Sequence, residues 1–130
     1  MNELNEKLLE AVRDNKPNEV KFYLLAGADV NVKDNDDGDT ALIIASFNNH
    51  IEVVKLLLEK GADVNVKNKY GYTVLIWASS GGYTEIVKLL LEKGADVNAE
   101  DNYDTTALIW ASNYKHTKVI KLLKQHGAKE

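Results

Sequence analysis

No cysteine occurs among the 130 residues, which excludes a disulfide framework and a thiolate metal site and leaves the redox compartment open. No apolar run is long enough to span a bilayer. The first residues lack the basic start and apolar stretch of a signal peptide, and no Asn-x-Ser/Thr glycosylation acceptor occurs. A cytoplasmic protein is the default expectation. A secreted protein without its signal, or a designed chain, would have the same features.

Basic residues are in the minority, with 16 Lys and Arg against 20 Asp and Glu and a formal net charge of −4. A face that binds duplex nucleic acid needs clustered Lys and Arg, because binding displaces counterions from the phosphates. We therefore expect no nucleic-acid partner. We also expect no membrane partner, and we expect a monomer. The 45% apolar content is sufficient for a packed core.

The most informative feature that the sequence does contain is a short phrase of residues that recurs along the chain. Gly-Ala-Asp-Val-Asn begins at Gly27, Gly61 and Gly94, and a shortened Gly-Ala begins at Gly127, at steps of 34, 33 and 33 residues. A fixed period in this range is the signature of stacked supersecondary units. Such arrays mostly present binding surfaces, so the first hypothesis for function is a binding module.

One period shows how each unit is built. Residues 67–72 are polar and contain glycine, which is typical of a turn or hairpin tip. Thr73 is then a good N-cap for a short apolar helix that Gly81-Gly82 ends. A second, amphipathic helix is predicted from about Thr84 to Lys93, with Gly94 in the left-handed position after it. Helices this short are marginal alone, so they require packing on their neighbours.

This order of tip, inner helix, short turn and outer helix resembles the ankyrin repeat over essentially the whole chain. The family phrase Asp-x-x-Gly-x-Thr-Pro-Leu-His-x-Ala-Ala has counterparts in Asp34–Ser46, Asn68–Ser79 and Asp101–Ser112, and the outer-helix phrase is nearly verbatim at Glu85–Gly94. The resemblance implies an all-α solenoid of stacked helix-turn-helix units with hairpin-like tips, forming one domain. The implied divisions are an N-terminal capping repeat 1–32, repeats 33–65 and 66–98, and a C-terminal capping repeat 99–130.

Departures from the family phrase predict local differences. Isoleucine replaces the family His at Ile43, Ile76 and Ile109, which removes a polar link and predicts more apolar contact between repeats. The tip Gly becomes Asp104 in the last repeat. The glycine between helices becomes Asn49 and Lys115, and the lysine predicts some strain. One extra residue within the segment Asp34–Asp39 predicts a larger first tip.

The residue types that carry chemistry form no catalytic or metal site in the sequence. The acidic tip at residues 34–39 fails the EF-hand pattern, because neither flanking ligand position carries an acid. A solvated acidic turn is expected there, and a weak cation site is the alternative. His50 and His116 share one repeat position and are too far apart to share a metal, because neighbouring helices already lie about 8–10 Å apart. We expect no metal and no cofactor.

Catalysis also lacks support. Serine recurs at one repeat position, as Ser46, Ser79 and Ser112, whereas a catalytic nucleophile would be expected only once in the chain. We expect each hydroxyl to bond a backbone carbonyl within its helix. No phosphate-cradling glycine loop precedes a helix with lysine in register. The sequence therefore predicts a protein that is not an enzyme and has no catalytic residues.

Aromatic residues mark the candidate binding face. Trp77 and Trp110 share one inner-helix position and are predicted to be half-buried packing residues. Tyr70, Tyr72 and Tyr103 lie at tips that need no ring, and stacking is expected to set them in a ladder with roughly 10 Å between rows. In ankyrin-like proteins the tips and inner-helix ends form the concave recognition face, where tyrosine is a frequent hot-spot residue. The predicted partner-binding residues are Asp36, Asp39, Phe47, Asn48, Lys69, Tyr70, Tyr72, Ser80, Asn102, Tyr103, Thr105, Asn113 and Tyr114.

We interpret the chain as a non-enzymatic module that binds another protein, one with a basic patch that matches the acidic tip. A second interpretation is a designed or consensus-like scaffold with no dedicated partner, since eleven consecutive residues are identical in the segments 55–65 and 88–98. A third is recognition of a small ligand or nucleotide between tips, where Lys67 and Lys69 beside Tyr70 would neutralise a phosphate. Variation at the tips favours binding over a bare scaffold, and the acidic balance disfavours the nucleotide.

Overall fold

The computed structural model describes residues 2–130 as a row of helix pairs. The helices of this range are α1 (Glu3–Arg13), α2 (Pro17–Leu25), α3 (Ala41–Phe47), α4 (Ile51–Glu59), α5 (Val74–Gly81), α6 (Thr84–Glu92), α7 (Ala107–Asn113) and α8 (Thr117–Gln125). The inner helices α1, α3, α5 and α7 pack one against the next, and the outer helices α2, α4, α6 and α8 do the same. The predicted all-α solenoid is confirmed.

Threonine caps begin the inner helices α3, α5 and α7, and α3 and α5 are buried on nearly every side. Thr40, Thr73 and Thr106 each accept a hydrogen bond from the backbone N–H three residues further on, at 3.2–3.3 Å. Every residue of α3 except Phe47 is buried. A helix of seven residues cannot persist alone in water, so these helices exist only because neighbouring pairs cover them.

The outer helices bury one apolar stripe against the inner row. Leu57, Leu90 and Leu123 hold the same repeat position and are completely buried. Lys and Glu occupy the opposite face of α4 and α6, as the amphipathic pattern predicts. The core is therefore one continuous layer between inner and outer helices, shared by successive pairs.

The recurring Asp-Val-Asn builds a hydrogen-bonded ladder between successive pairs. The carboxylate of Asp63 accepts a bond from the backbone N–H of Asn65 at 2.9 Å. The side-chain oxygen of Asn65 then accepts one from the backbone N–H of Asp96, in the following pair, at 2.8 Å. Asn31 and Asn98 make the same forward link. Each copy of the phrase is therefore hydrogen-bonded to the unit that follows it.

The turn positions that depart from glycine adopt the left-handed backbone that glycine would favour. Asn49 has φ 57°, and Asp104 and Lys115 each have φ 60°. Asn15, in the turn between α1 and α2, has φ 53°. This conformation disfavours a residue such as lysine by roughly 1–2 kcal/mol, in agreement with the strain predicted at Lys115.

Two expectations about buried positions are wrong in part. Ile43 and Ile76 are each 2% exposed between inner helices, as expected, but Ile109 is 45% exposed. No further inner helix of the described range packs on α7 to cover it. Ser46 and Ser79 are fully buried, yet their hydroxyls have no hydrogen-bond partner, so they do not bond a carbonyl. Their small size suits the close contact between repeats.

Candidate functional site

Each of the three tips is organised by one polar side chain at its start. The residues are Asp34, Asn68 and Asp101, and in each the Oδ1 atom accepts bonds from two or three backbone N–H groups further along the tip, at 2.9–3.2 Å. The backbone bond from Asp34 to Asp39 encloses one residue more than the bond from Asn68 to Tyr72. The prediction of a larger first tip is confirmed.

The tips are also joined to one another. The backbone N–H of Lys69 donates to the carbonyl of Asp37 at 3.0 Å, and that of Asn102 donates to the carbonyl of Tyr70 at 3.1 Å. Side chains add to these links, since Lys69 Nζ lies 2.8 Å from the carbonyl oxygen of Asp36 and Asn102 Nδ2 lies 3.1 Å from that of Lys69. Lys69 and Asn102, both predicted to bind a partner, therefore brace neighbouring tips.

Gly71 gives a direct test of tip stacking. It has φ 79°, and a Cβ added there would lie 2.8 Å from the backbone N of Asn102. Gly38 has a similar φ of 71°, but its nearest neighbour would be Lys69 N at 3.6 Å. We expect Gly38→Ala to cost about 1–2 kcal/mol of unfolding free energy from backbone strain alone. Gly71→Ala should cost clearly more in urea unfolding, and equal losses would contradict close tip contact.

The acidic tip is stabilised within the chain. Asp34 Oδ2 lies 3.6 Å from an Arg13 nitrogen, Lys69 Nζ lies 3.5 Å from Asp37 Oδ1, and Asn68 Nδ2 donates to Asp39 Oδ1 at 2.9 Å. Burial raises the pKa of the Asp39 carboxyl above its ordinary value, and the charges of Asp34 and Asp37 raise it further, against the bond from Asn68. Asp36 is exposed.

Replacing Asp39 should change how stability depends on pH. Its pKa is higher in the folded chain than the unfolded value of 3.8, so the ionised carboxylate opposes folding at neutral pH. Stability from this group rises as the pH falls through the folded pKa. We expect Asp39→Asn to increase the unfolding free energy at pH 7 by no more than about 0.5 kcal/mol, since the carboxyl is half-exposed. In thermal scans the gain should shrink as the pH approaches 3.8. Asp36→Asn is the control, and an equal gain there would contradict the assignment to Asp39.

Six Phe, Tyr and Trp residues form one connected group, which we name the aromatic strip. Its members are Phe47, Tyr70, Tyr72, Trp77, Trp110 and Tyr114. The ring of Tyr72 is central, at 4.9 Å from Trp77, 6.4 Å from Trp110 and 6.2 Å from Tyr70. The strip therefore runs from the second tip across the inner helices α3, α5 and α7.

The two tryptophans differ in how their indole N–H is used. Trp110 Nε1 donates to Asp101 Oδ2 at 3.1 Å. The equivalent residue in the previous repeat is Asn68, whose amide donates to Asp39 and offers no second oxygen. Trp77 Nε1 is consequently buried without a partner. Both rings are half-buried, as predicted.

A shallow groove of about 390 Å³ opens beside the strip. Phe47 and Trp77 form an aromatic wall, and Asn48 and Ser80 supply neutral polar groups. Tyr83 folds over Gly81, where an added Cβ would meet the ring at 2.6 Å. The groove holds three of the predicted binding residues.

Other predicted residues lie apart from the strip. Tyr103 is 70% exposed and forms no close ring pair among residues 2–130. The expected ladder of Tyr70, Tyr72 and Tyr103, with roughly 10 Å between rows, requires no such pair and stays a prediction. Asn113 lines a separate groove beside Ile109. Thr105 bonds within its own tip at 3.3 Å. The positions of Asn113 and Thr105 in the repeat did not predict these contacts.

The sequence interpretation left both tryptophans out of the candidate face. Trp77 and Trp110 hold the strip together, because Tyr72 contacts both. Their recurrence at one inner-helix position, next to a tip rich in tyrosine, was the available signal.

Two further features concern the whole described range. Among residues 2–130, no group of three or more His, Cys, Asp or Glu is placed to hold a metal ion. Within the same range, no helix combines the length and the apolar character needed to cross a membrane.

Comparisons with known proteins agree with this architecture. Human mitochondrial disaggregase is 46% identical over 63 residues, which are 48% of this chain and 9% of that protein. Ankyrin repeat and SAM domain-containing protein 6 of Rattus norvegicus is 43% identical over 54 residues, 42% of this chain and 6% of that protein. Ankyrin repeat and KH domain-containing protein mask-1 of Caenorhabditis elegans is 38% identical over 66 residues, 48% of this chain and 2% of that protein. The similarity thus spans a small part of each relative's length.

Two family models match the chain itself. One describes ankyrin repeats in three copies and matches residues 8–101, and the other describes a single ankyrin repeat and matches residues 103–129. Together with the stacked helix pairs, these matches show that the chain belongs to the ankyrin repeat family.

Proposed function

We propose that this chain binds another protein through the face that carries the aromatic strip and that it catalyses no reaction. Ankyrin repeats are generally non-catalytic protein-interaction modules. The observation that carries the proposal is the strip, a set of connected rings on one face in which Phe47, Tyr70 and Tyr114 remain well exposed. Contiguous exposed aromatic surface is typical of partner-binding sites.

The face is also pre-organised. The rings of Tyr72 and Trp77 contact each other, and the tip below them is fixed by the two bonds that Asn68 accepts. Side chains that are already ordered lose little entropy on binding, so their contacts contribute more of their energy to affinity. This arrangement supports binding over a bare scaffold, whose folding does not need exposed rings at these positions.

The nucleotide alternative has less support than the sequence suggested. Lys67 Nζ lies 2.8 Å from the carbonyl oxygen of Glu100, and Lys69 Nζ is held by Asp36 and Asp37. A phosphate would have to displace these internal bonds. We therefore keep a protein as the proposed partner, of open identity and carrying basic residues opposite the acidic tips.

An affinity capture with matched variants tests the proposal. Wild-type protein, a Phe47→Ala/Tyr70→Ala/Tyr114→Ala variant and a Phe22→Ala control would each be immobilised and exposed to the same lysate. Phe22 is a large exposed aromatic residue on the outer helix α2, away from the strip. We expect a protein retained by wild type and control and lost from the triple variant, then verified as a purified pair by calorimetry. Equal capture by all three would contradict the proposed face.

A further inference from the structure

We propose that the partner presents an arginine side chain to Trp110 and Tyr114, a deepening that rests on the proposed function. The two rings are nearly parallel, with 13° between their planes and 6.1 Å between centroids. Tyr114 is 56% exposed, so an aromatic surface of this stacked pair is open to solvent on the Tyr114 side, where the ring of His116 also lies 6.2 Å away between centroids. A guanidinium group is planar and weakly hydrated, and it stacks on such surfaces more readily than an ammonium group.

The negative charge at the edge of the Trp110 ring has no ion-pair partner among residues 2–130. Asp101 is 4% exposed and accepts the indole N–H of Trp110, which increases the electron density of the ring. No Lys or Arg of residues 2–130 forms an ion pair with this carboxylate. Burial raises the pKa of the neighbouring Tyr72 phenol, and the charge of Asp101 raises it further. The part of the strip around Tyr72 and Trp110 therefore lies beside a negative charge.

Acidic residues dominate the tips around the strip. Their basic residues are Lys33, Lys67 and Lys69, and their acidic residues are Asp34, Asp36, Asp37, Asp39, Glu100, Asp101 and Asp104. The three lysines each donate to a backbone carbonyl of an adjacent tip. A cationic partner segment is thus complementary in charge to this face.

One lysine of the chain already places its cation over a ring of the strip. Lys69 Nζ lies over the Tyr70 ring at 5.1 Å from the centroid. Among the described residues, no Lys or Arg lies over the Trp110 or Tyr114 ring in the same way. Because Trp110 bonds the Asp101 carboxylate and Tyr114 is exposed, this pair is the place for the cation that the partner supplies.

The test uses peptides as probes and the two tryptophans as reporters. Random twelve-residue peptides displayed on phage would be selected against the immobilised protein. An enriched peptide would then be titrated with its arginine intact and with that arginine replaced by citrulline, which keeps the planar shape and removes the charge. Binding is read from fluorescence, because Trp77 and Trp110 are the only tryptophans and both lie in the strip.

We expect arginine at one recurrent position and a loss of about tenfold in affinity with citrulline, the scale of a partly desolvated cation–π contact. Tyr114→Leu should weaken the arginine peptide similarly and leave the citrulline peptide nearly unaffected. Phe22→Leu is the control and should change neither titration. Because Tyr114 is exposed, folding of its variant can be verified by circular dichroism.

The outcomes separate this inference from the proposed function. Peptides that are lost from Tyr114→Leu but lack arginine, or that tolerate citrulline, would overturn the arginine contact and leave the binding face standing. An equal citrulline effect in wild type and Tyr114→Leu would also overturn it, since the two changes would then be independent. Peptides indifferent to every strip variant, or no peptide above background, would contradict both.

Discussion

Leu57→Ala is expected to lower the free energy of unfolding by about 2–5 kcal/mol. Leu57 lies in the outer helix α4 and is completely buried in the layer that joins successive helix pairs. Truncation removes apolar contact and leaves a cavity that short, mutually braced helices cannot readily close. Because each pair buries its apolar face only on its neighbours, we expect one cooperative transition that weakens as a whole.

Urea unfolding followed by helical circular dichroism measures this loss. Leu25→Ala is the matched control, because Leu25 also belongs to an outer helix but is 68% exposed. Its replacement should change stability by less than about 0.5 kcal/mol. A loss below about 0.5 kcal/mol for Leu57→Ala would show that the core does not depend on this stripe.

Tyr72→Ala is expected to weaken binding of the captured partner by about 1–3 kcal/mol, whereas Lys88→Ala should change it by less than about 0.5. Tyr72 touches both tryptophans of the strip, so truncation removes a contact and also releases its neighbours. Lys88 lies on the exposed face of α6, where a solvated charge contributes little.

Calorimetric titration of both variants decides whether the partner binds the face with the aromatic strip or the exposed face of the outer helices. Tyr72→Phe keeps the ring and its packing, so it should bind within a few tenths of a kcal/mol of wild type. Raising the salt concentration should slow association with a basic partner, since the acidic tips act mainly on encounter. A larger loss for Lys88→Ala than for Tyr72→Ala would move the binding site to the outer helices.

Several elements of the fold could be predicted because their causes are local. Thr73 caps α5, Gly82 ends it in the left-handed conformation, and α6 begins at Thr84, all as the pattern predicts. The family match and the all-α architecture are confirmed. The partner-binding role of the tip residues stays a prediction, since it concerns contacts with a molecule outside the chain.

The candidate site could be predicted less well, because its members depend on contacts between repeats. Asn68 and Asp101 hold equivalent positions, yet only Asp101 accepts the indole N–H of its tryptophan. Ile109 matches two buried isoleucines in sequence but lies where no following inner helix covers it. An equivalent position in the repeat predicts the local backbone conformation, whereas the neighbouring helix pair determines how far the side chain is buried.

The sequence by itself determined the period, the caps, the left-handed turns and the amphipathic outer helices, because each depends on residues within one turn or one helix face. The tertiary structure decided which polar groups of the tips form hydrogen bonds within the protein. Lys69 and Asn102 bond adjacent tips, and Tyr72 turns onto Trp77 and Trp110. The hydrogen bonds of Lys69 and Asn102 and the contact of Tyr72 with Trp110 join residues about one repeat apart, and only the stacking of successive repeats brings them together.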